Sequence, residues 1–354
     1  MYKFISLDEA TNLVAAVGAL RTCLVTGPMG CGKSSMLKAL AERFPDHHPV
    51  YLEAQLLDLG DLQMPRFDAE VVRFVPNAAL GVHLKKPIIL MIDEIGKASK
   101  AVMNALLRVM LERKIGEHSL PEGSIVFATT NRGSEGLGDN IPAHARNRMS
   151  QINIGKPTAM QWVENWAIKH GVHPIVIATA MEYPHMFADD ADVENPNDNH
   201  YIFHPKQPRL AFVTPRSLEM ASDVIHAADR CNMDQNTLTH ALIGLVGEAA
   251  AMDMLTIKKL DDALPSWERV INDPENCSLP KGGVASVIMA TKALGRVDRA
   301  SLNAWMTYLQ RLPAEVIALF VRNAVRISDS EKRGMFITSK AFTDLSVSKL
   351  YLFQ

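Results

Sequence analysis

Apolar residues fall along this chain in two patterns, and their alternation predicts an α/β core followed by a helical region. Ile88-Ile89-Leu90-Met91-Ile92 is an uninterrupted apolar run closed by Asp93-Glu94, which reads as a central parallel strand covered on both faces. Arg21 to Thr26, Pro49 to Ala54, Ser124 to Asn131 and the short Ile152-Asn153-Ile154 read as further strands. Between them the spacing predicts helices over Met36–Arg43 and over Lys97–Arg113, the latter with Val102, Leu106, Val109 and Met110 inward. Ser6-Leu7-Asp8-Glu9 predicts a capping box, ahead of a helix with apolar positions Leu13, Val17 and Leu20. The stretch Leu56–Lys86 exceeds a minimal crossover. It predicts a short helix to Leu62, an extended segment Val71–Val75 and a helical piece Asn77–Leu84, serving either surface packing or contact at an assembly's central opening. Arg113–Leu120, with Gly116, predicts a hairpin or loop, and Gly133–Asn140 a Gly-rich loop.

Gly155-Lys156-Pro157 marks the end of the α/β core, and the pattern then becomes helical. Helices are expected at Ala159–Lys169 and Ile175–Tyr183, from Pro215 through Arg216, Met220, Val224, Ile225 and Ala228, and over Thr239–Leu260. After Gly282-Gly283 come helices near 284–294, 301–312 and 314–327, with Trp305, Leu309 and Leu312 as packing residues. The expected organisation is a core at 1–155, a helical lid with a polar insertion at 156–262, and a C-terminal helical extension at 263–354.

Composition narrows the classes of function. The 354 residues are 47% hydrophobic, enough for more than one domain, and 37 basic residues face 39 acidic ones, so no global basic field argues for nucleic acid. Cys23, Cys31, Cys231 and Cys277 lack metal-ligand or redox-pair spacing and read as free thiols of a reducing compartment. There is no signal-peptide pattern and no apolar run that could span a bilayer, so a cytoplasmic protein without a membrane segment is expected. His185, His200 and His204 are spaced as a solvated loop rather than as a metal site.

The chemistry is carried by Gly27-Pro28-Met29-Gly30-Cys31-Gly32-Lys33-Ser34. Glycines let backbone N–H groups turn inward around phosphates, and the following helix N-terminus adds positive potential. Lys33 is suited to the β and γ phosphates of ATP and the Ser34 hydroxyl to Mg²⁺, with Ser35 next in the cradle. Asp93 can hold the metal directly or through water, while Glu94 orients and deprotonates an attacking water. Asn131 ends a strand at the same sheet edge and can hold the lytic water. Arg146 and Arg148 could supply positive charge from a neighbouring subunit, or be a solvent-exposed pair.

These motifs resemble the AAA+ ATPases, most closely the MoxR-like branch. The resemblance runs through Gly27–Ser34, Ile88–Glu94, Ala128-Thr129-Thr130-Asn131, Leu137–Met149 and Thr214-Pro215-Arg216. Arg148-Met149 departs from the more usual Arg-Phe. The resemblance implies an ATP- and Mg²⁺-dependent ring, commonly a hexamer, with Asn131 as first sensor, Arg148 as trans-acting finger, Arg146 as its nearby substitute, and Arg216 as second sensor reaching the nucleotide. It also implies remodelling or maturation of a protein client, often with a separate von Willebrand A domain protein. A nucleic-acid-directed motor and a nucleotide-gated assembly subunit with little turnover are the alternatives. Cys31 within the loop raises redox sensitivity as a further expectation.

Overall fold

A computed structural model describes residues 4–132, 141–327 and 329–348. The expected loop at 133–140, and the start of the resemblance at Leu137, lie outside the described residues. The chain forms two compact units, 1–157 and 158–354.

In chain order the first unit contains α1 (Leu7–Val17), β1 (Cys23–Thr26), α2 (Ser35–Arg43), β2 (His48–Glu53), α3 (Leu59–Leu62), β3 (Gln63–Phe67), β4 (Val72–Pro76) and β5 (Ile88–Asp93). It continues with α4 (Lys100–Glu112), β6 (Lys114–Ile115), β7 (His118–Ser119), β8 (Ile125–Thr130), α5 (Ala143–Arg146) and β9 (Ser150–Asn153). Five strands form one parallel sheet in the order β2-β5-β8-β1-β9, so β2 lies beside the Asp93 strand.

The apolar runs explain why this sheet is covered on both sides. Ile88, Leu90 and Ile92 join Leu24, Leu52, Val126 and Ala128 in one core, against α4 residues such as Leu106. Ile89 and Met91 alternate to the opposite face with Val25, Phe127 and Ile152, against Val14 of α1 and Leu40 of α2. Each such side chain contributes about 1.5–3 kcal/mol of burial, so β5 is held in place from both layers.

The capping box forms as expected: the Glu9 N–H donates to Ser6 Oγ at 3.2 Å and the Ser6 N–H donates to Glu9 Oε2 at 2.8 Å. The buried stripe of α1 is Ala10 and Val14, however, and the expected Leu13 and Leu20 are exposed. The crossover after β2 folds back as an antiparallel hairpin of β3 and β4, with Arg66 opposite Arg73 and Phe67 opposite Val72. Asp68 pairs with both arginines, while Met64, Phe67, Val72 and Phe74 are exposed. The β6–β7 hairpin turns at Gly116 (φ 58), packed so closely against β3–β4 that an added Cβ would lie 2.9 Å from Gln63 Oε1 and 3.0 Å from the Phe74 carbonyl oxygen.

The second unit is helical, and one apolar core runs through it from Ala159 to Leu345. Trp305, Leu309 and Leu312 are buried in it. The single helix expected over Thr239–Leu260 is two, Gln235–Val246 and Glu248–Asp262, because Gly247 takes φ 83 between them. Two further helices, Ser330–Thr338 and Lys340–Ser348, extend the array beyond the expected elements.

Candidate nucleotide site

Parallel strands bring their C-terminal ends to one edge, and that edge gathers Gly27–Ser34, Asp93, Glu94 and Asn131, whereas Arg146 and Arg148 precede the N-terminal end of β9. Thr26 pairs with Thr130 and with Asn153, so the loop leaving β1 lies beside the end of β8. Asp93 ends β5, the neighbour of β8 on its other side. This is where open α/β sheets place ligands.

The loop from Gly27 to Ser34 is shaped by its glycines. Gly30 and Gly32 take φ 69 and φ 91, values that favour glycine. Gly27 is required for a different reason: a Cβ there would lie 2.2 Å from Ile154 Cγ1. Cys31 is buried in the core beneath the sheet with Val25 and Met36, which makes its thiol a packing group and argues against the redox role. Ser34 stands at the N-cap of α2 and makes no side-chain capping bond, whereas the Ser35 hydroxyl donates to the Gly32 carbonyl oxygen at 2.7 Å. Pro28 contributes its carbonyl oxygen as an acceptor for Lys33, and Met29 follows it in the loop.

Lys33 is buried, and its ammonium donates at 2.8 Å to the carbonyl oxygens of Gly27 and Pro28 and to Asn131 Oδ1. Asn131 in turn donates from Nδ2 to Glu94 Oε1 at 3.3 Å. The other Glu94 oxygen forms an ion pair with Lys97. Glu94 itself sits in the left-handed region (φ 52, ψ 41), a conformation uncommon for a side-chain-bearing residue and concentrated at functional sites. Phosphate loop, polar strand end and acidic strand end are thus joined by one hydrogen-bonded chain.

Asp93 is held as firmly. Its Oδ1 accepts from the Glu94 N–H at 3.1 Å and from the Thr129 hydroxyl, and its Oδ2 accepts from the Tyr51 hydroxyl at 2.9 Å. The Tyr51 hydroxyl is pushed well above its usual range, first by desolvation and then by the Asp93 hydrogen bond, so it remains a donor at ordinary pH.

These residues fit a nucleotide with a divalent cation. The loop has the backbone freedom that phosphate approach needs, a buried ammonium lies within it, and a hydroxyl and a carboxylate stand at the helix start and strand end. Arg146, at the end of α5, and Arg148, just after it, are exposed. Arg216 is exposed in the first turn of the helix Pro215–Cys231 and belongs to the second unit. Among the described residues no cluster of three or more His, Cys, Asp or Glu side chains could hold a metal, and no helix is long and apolar enough to cross a membrane.

Sequence reasoning missed Lys97, Tyr51 and Thr129. Lys97 carried a usable signal, since i and i+3 in a helical turn are neighbours. Tyr51 and Thr129 reach Asp93 from the strands on either side, so they could be found only with the strand order in hand.

Residues 23–156 match the family model described as ATPase family associated with various cellular activities (AAA). With the sheet order and the phosphate loop, this makes the fold of the first unit that of an AAA+ P-loop NTPase, followed by many helices. No curated protein is significantly similar to the chain in sequence. Among solved structures, a point mutant of RuvB from Thermotoga maritima is 16% identical, with 84% of this chain and 85% of that chain covered and a TM-score of 0.38. A Thermotoga maritima RuvB described as a Holliday junction branch migration motor gives 16% identity, 84% and 86% coverage and a TM-score of 0.34. NtrX from Brucella abortus, in complex with ADP, is 14% identical over 99% of this chain and 70% of that chain, with a TM-score of 0.35.

Proposed function

We propose that this protein is a cytoplasmic, MoxR-like AAA+ ATPase that hydrolyses ATP with Mg²⁺ as part of a ring, commonly a hexamer, and couples hydrolysis to remodelling of a protein client. The observation that carries the hydrolytic reading is the chain from the phosphate loop through Lys33 and Asn131 to Glu94. On binding, Lys33 would exchange its carbonyl and amide partners for β and γ phosphate oxygens. Asn131, already bonded to Glu94, would orient a water for in-line attack on the γ phosphorus. Glu94 takes a proton from that water as its oxygen bonds to phosphorus and the bond to the ADP oxygen breaks, leaving ADP and phosphate. Mg²⁺, held through Ser34 and Asp93, would neutralise charge on the phosphate oxygens. Arg148, or Arg146 in its place, is assigned to the neighbouring subunit's phosphates, and Arg216 to coupling of a lid at 156–262 to the nucleotide.

The protein client is supported by the β3–β4 hairpin, whose exposed Met64, Phe67, Val72 and Phe74 suit apolar polypeptide, and whose two arginines, both paired with Asp68, are matched in number by Asp68 and Glu70. A separate von Willebrand A domain partner fits this reading. A nucleotide-gated subunit with little turnover is the second reading, favoured by the ion pair that engages Glu94 with Lys97. The two are separated by measuring nucleotide affinity and steady-state phosphate release. Lys33→Ala should weaken binding, while Glu94→Gln should bind ATP and lose turnover. Full turnover by Glu94→Gln would remove its role as base, and nucleotide binding with negligible wild-type turnover in every partner mixture would select the second reading.

A further inference from the structure

Asp93 is held from both neighbouring strands, and one of the holding groups lies outside the phosphate loop and the strand-end acids. Tyr51 on β2 is paired in register with Met91, and Glu53 with Asp93. Residues two apart on a strand share a face, so the Tyr51 side chain lies diagonally behind Asp93 on the same face, within reach of a long aromatic side chain. Its hydroxyl closes that distance, donating to Asp93 Oδ2 at 2.9 Å. Thr129 from β8 and the Glu94 N–H fill Oδ1. The carboxylate is therefore clamped from three directions, and its plane is fixed by hydroxyls from two different strands. Tyr51 is 46% exposed, and its strand buries Val50 and Leu52 instead, so the phenol is not needed to fill the core.

Resting on the ATPase reading above, we propose that Tyr51 is a positioning residue for the divalent cation: it orients Asp93 so that the carboxylate faces the cation held with the nucleotide. Each carboxylate oxygen has a second lone pair, so the Tyr51 bond leaves Oδ2 able to accept from a metal-bound water. A group that orients a ligand in this way commonly contributes 10- to 100-fold to metal affinity.

The test separates cation from nucleotide. A fluorescent ATP analogue is titrated into wild type and Tyr51→Phe, first in EDTA and then at stepped Mg²⁺. Mn²⁺ binding to the protein–nucleotide complex is followed in parallel by electron paramagnetic resonance. The substitution keeps the ring and removes only the hydroxyl, so a packing role would leave all these quantities unchanged. We expect the Mg²⁺ and Mn²⁺ concentrations for half-saturation to rise about tenfold in Tyr51→Phe, with affinity in EDTA unaltered. Unchanged cation dependence, in a wild type that does require the cation, overturns the role of Tyr51 and leaves the ATPase reading standing. Equal loss of affinity in EDTA also overturns it, because the phenol would then serve the nucleotide or the fold. A wild type that binds no nucleotide in either medium overturns the ATPase reading and this inference with it.

Discussion

Lys97→Met should increase ATP turnover. The ion pair to Lys97 occupies one Glu94 oxygen and restrains the side chain, so the pair must open, or weaken, for that oxygen to take a proton freely in each cycle. The side chains are 25% and 26% exposed, which places the pair between a surface ion pair and a buried one. Exposed pairs contribute about 0.2–1 kcal/mol, and two charges at contact in a partly solvated site interact by up to about 4 kcal/mol before desolvation is subtracted. A net of about 1–2 kcal/mol is therefore reasonable, and at about 1.4 kcal/mol per factor of ten it corresponds to a roughly 5- to 30-fold rise in turnover. Methionine retains the length and apolar stem of lysine, so the turn at Ile95–Lys97 should persist. The assay is steady-state phosphate release at saturating Mg²⁺-ATP, with nucleotide affinity measured alongside to show that the site is intact. The Glu94→Gln/Lys97→Met double variant should be as inactive as Glu94→Gln. A turnover equal to or below wild type would refute the restraint and give Lys97 a supporting role.

Two glycines should respond in opposite ways: Gly27→Ala forces a Cβ against Ile154 and should lower nucleotide affinity at least about tenfold, while Gly295→Ala, in a helix with nothing within 4 Å, should stabilise by about 0.5–1 kcal/mol in denaturant melts. His173 gives a pH dependence: burial first, then His226, lowers its pKa to about 4, against opposing effects of Asp229, and Lys292 lowers it further. Its Nδ1 accepts the Ile175 N–H while Nε2 donates to Asp229, which Lys258 also engages. A lowered folded-state pKa means that the unfolded chain binds the proton first. The stabilisation is complete above about pH 6.5 and falls by about 3 kcal/mol as pH drops towards 4, and His173→Asn should flatten that slope in urea melts. Finally, Arg148→Ala and Glu94→Gln proteins, each slow alone, should recover activity when mixed into one assembly. No recovery, together with no nucleotide-dependent oligomerisation, would count against the trans site.

The nucleotide edge was legible because its chemistry is local in sequence. Gly27 to Ser34 needs a strand before it and a helix after it, and the apolar run ending at Asp93-Glu94 identifies its own position in a sheet. Tyr51 and Thr129 were not legible, because they depend on which strands are neighbours; Asn131 was legible as a residue of this edge, but its bond to Lys33, across 98 residues of chain, was not. The strand β3 was hidden for another reason: Gln63-Met64-Pro65-Arg66-Phe67 contains a proline and buries almost nothing, so no alternation announces it. The break at Gly247 lies in an Ala-, Leu- and Met-rich stretch whose composition suits a continuous helix, and only the backbone reveals the turn. The helices after Ser330 carry few buried residues each, chiefly Met335, Phe336, Phe342 and Leu345, too few to set a clear period.

The Gly116 contact has an evolutionary consequence. Two hairpins of separate origin along the chain meet there with no room for a methyl group, one side being the Phe74 backbone, which no substitution can trim. Neither hairpin can therefore drift alone. A lineage that lengthens β3–β4, or shifts its register by one residue, must alter the β6–β7 turn in the same step or lose the contact. Related chains should accordingly have both hairpins with a glycine at this turn, or have changed both together.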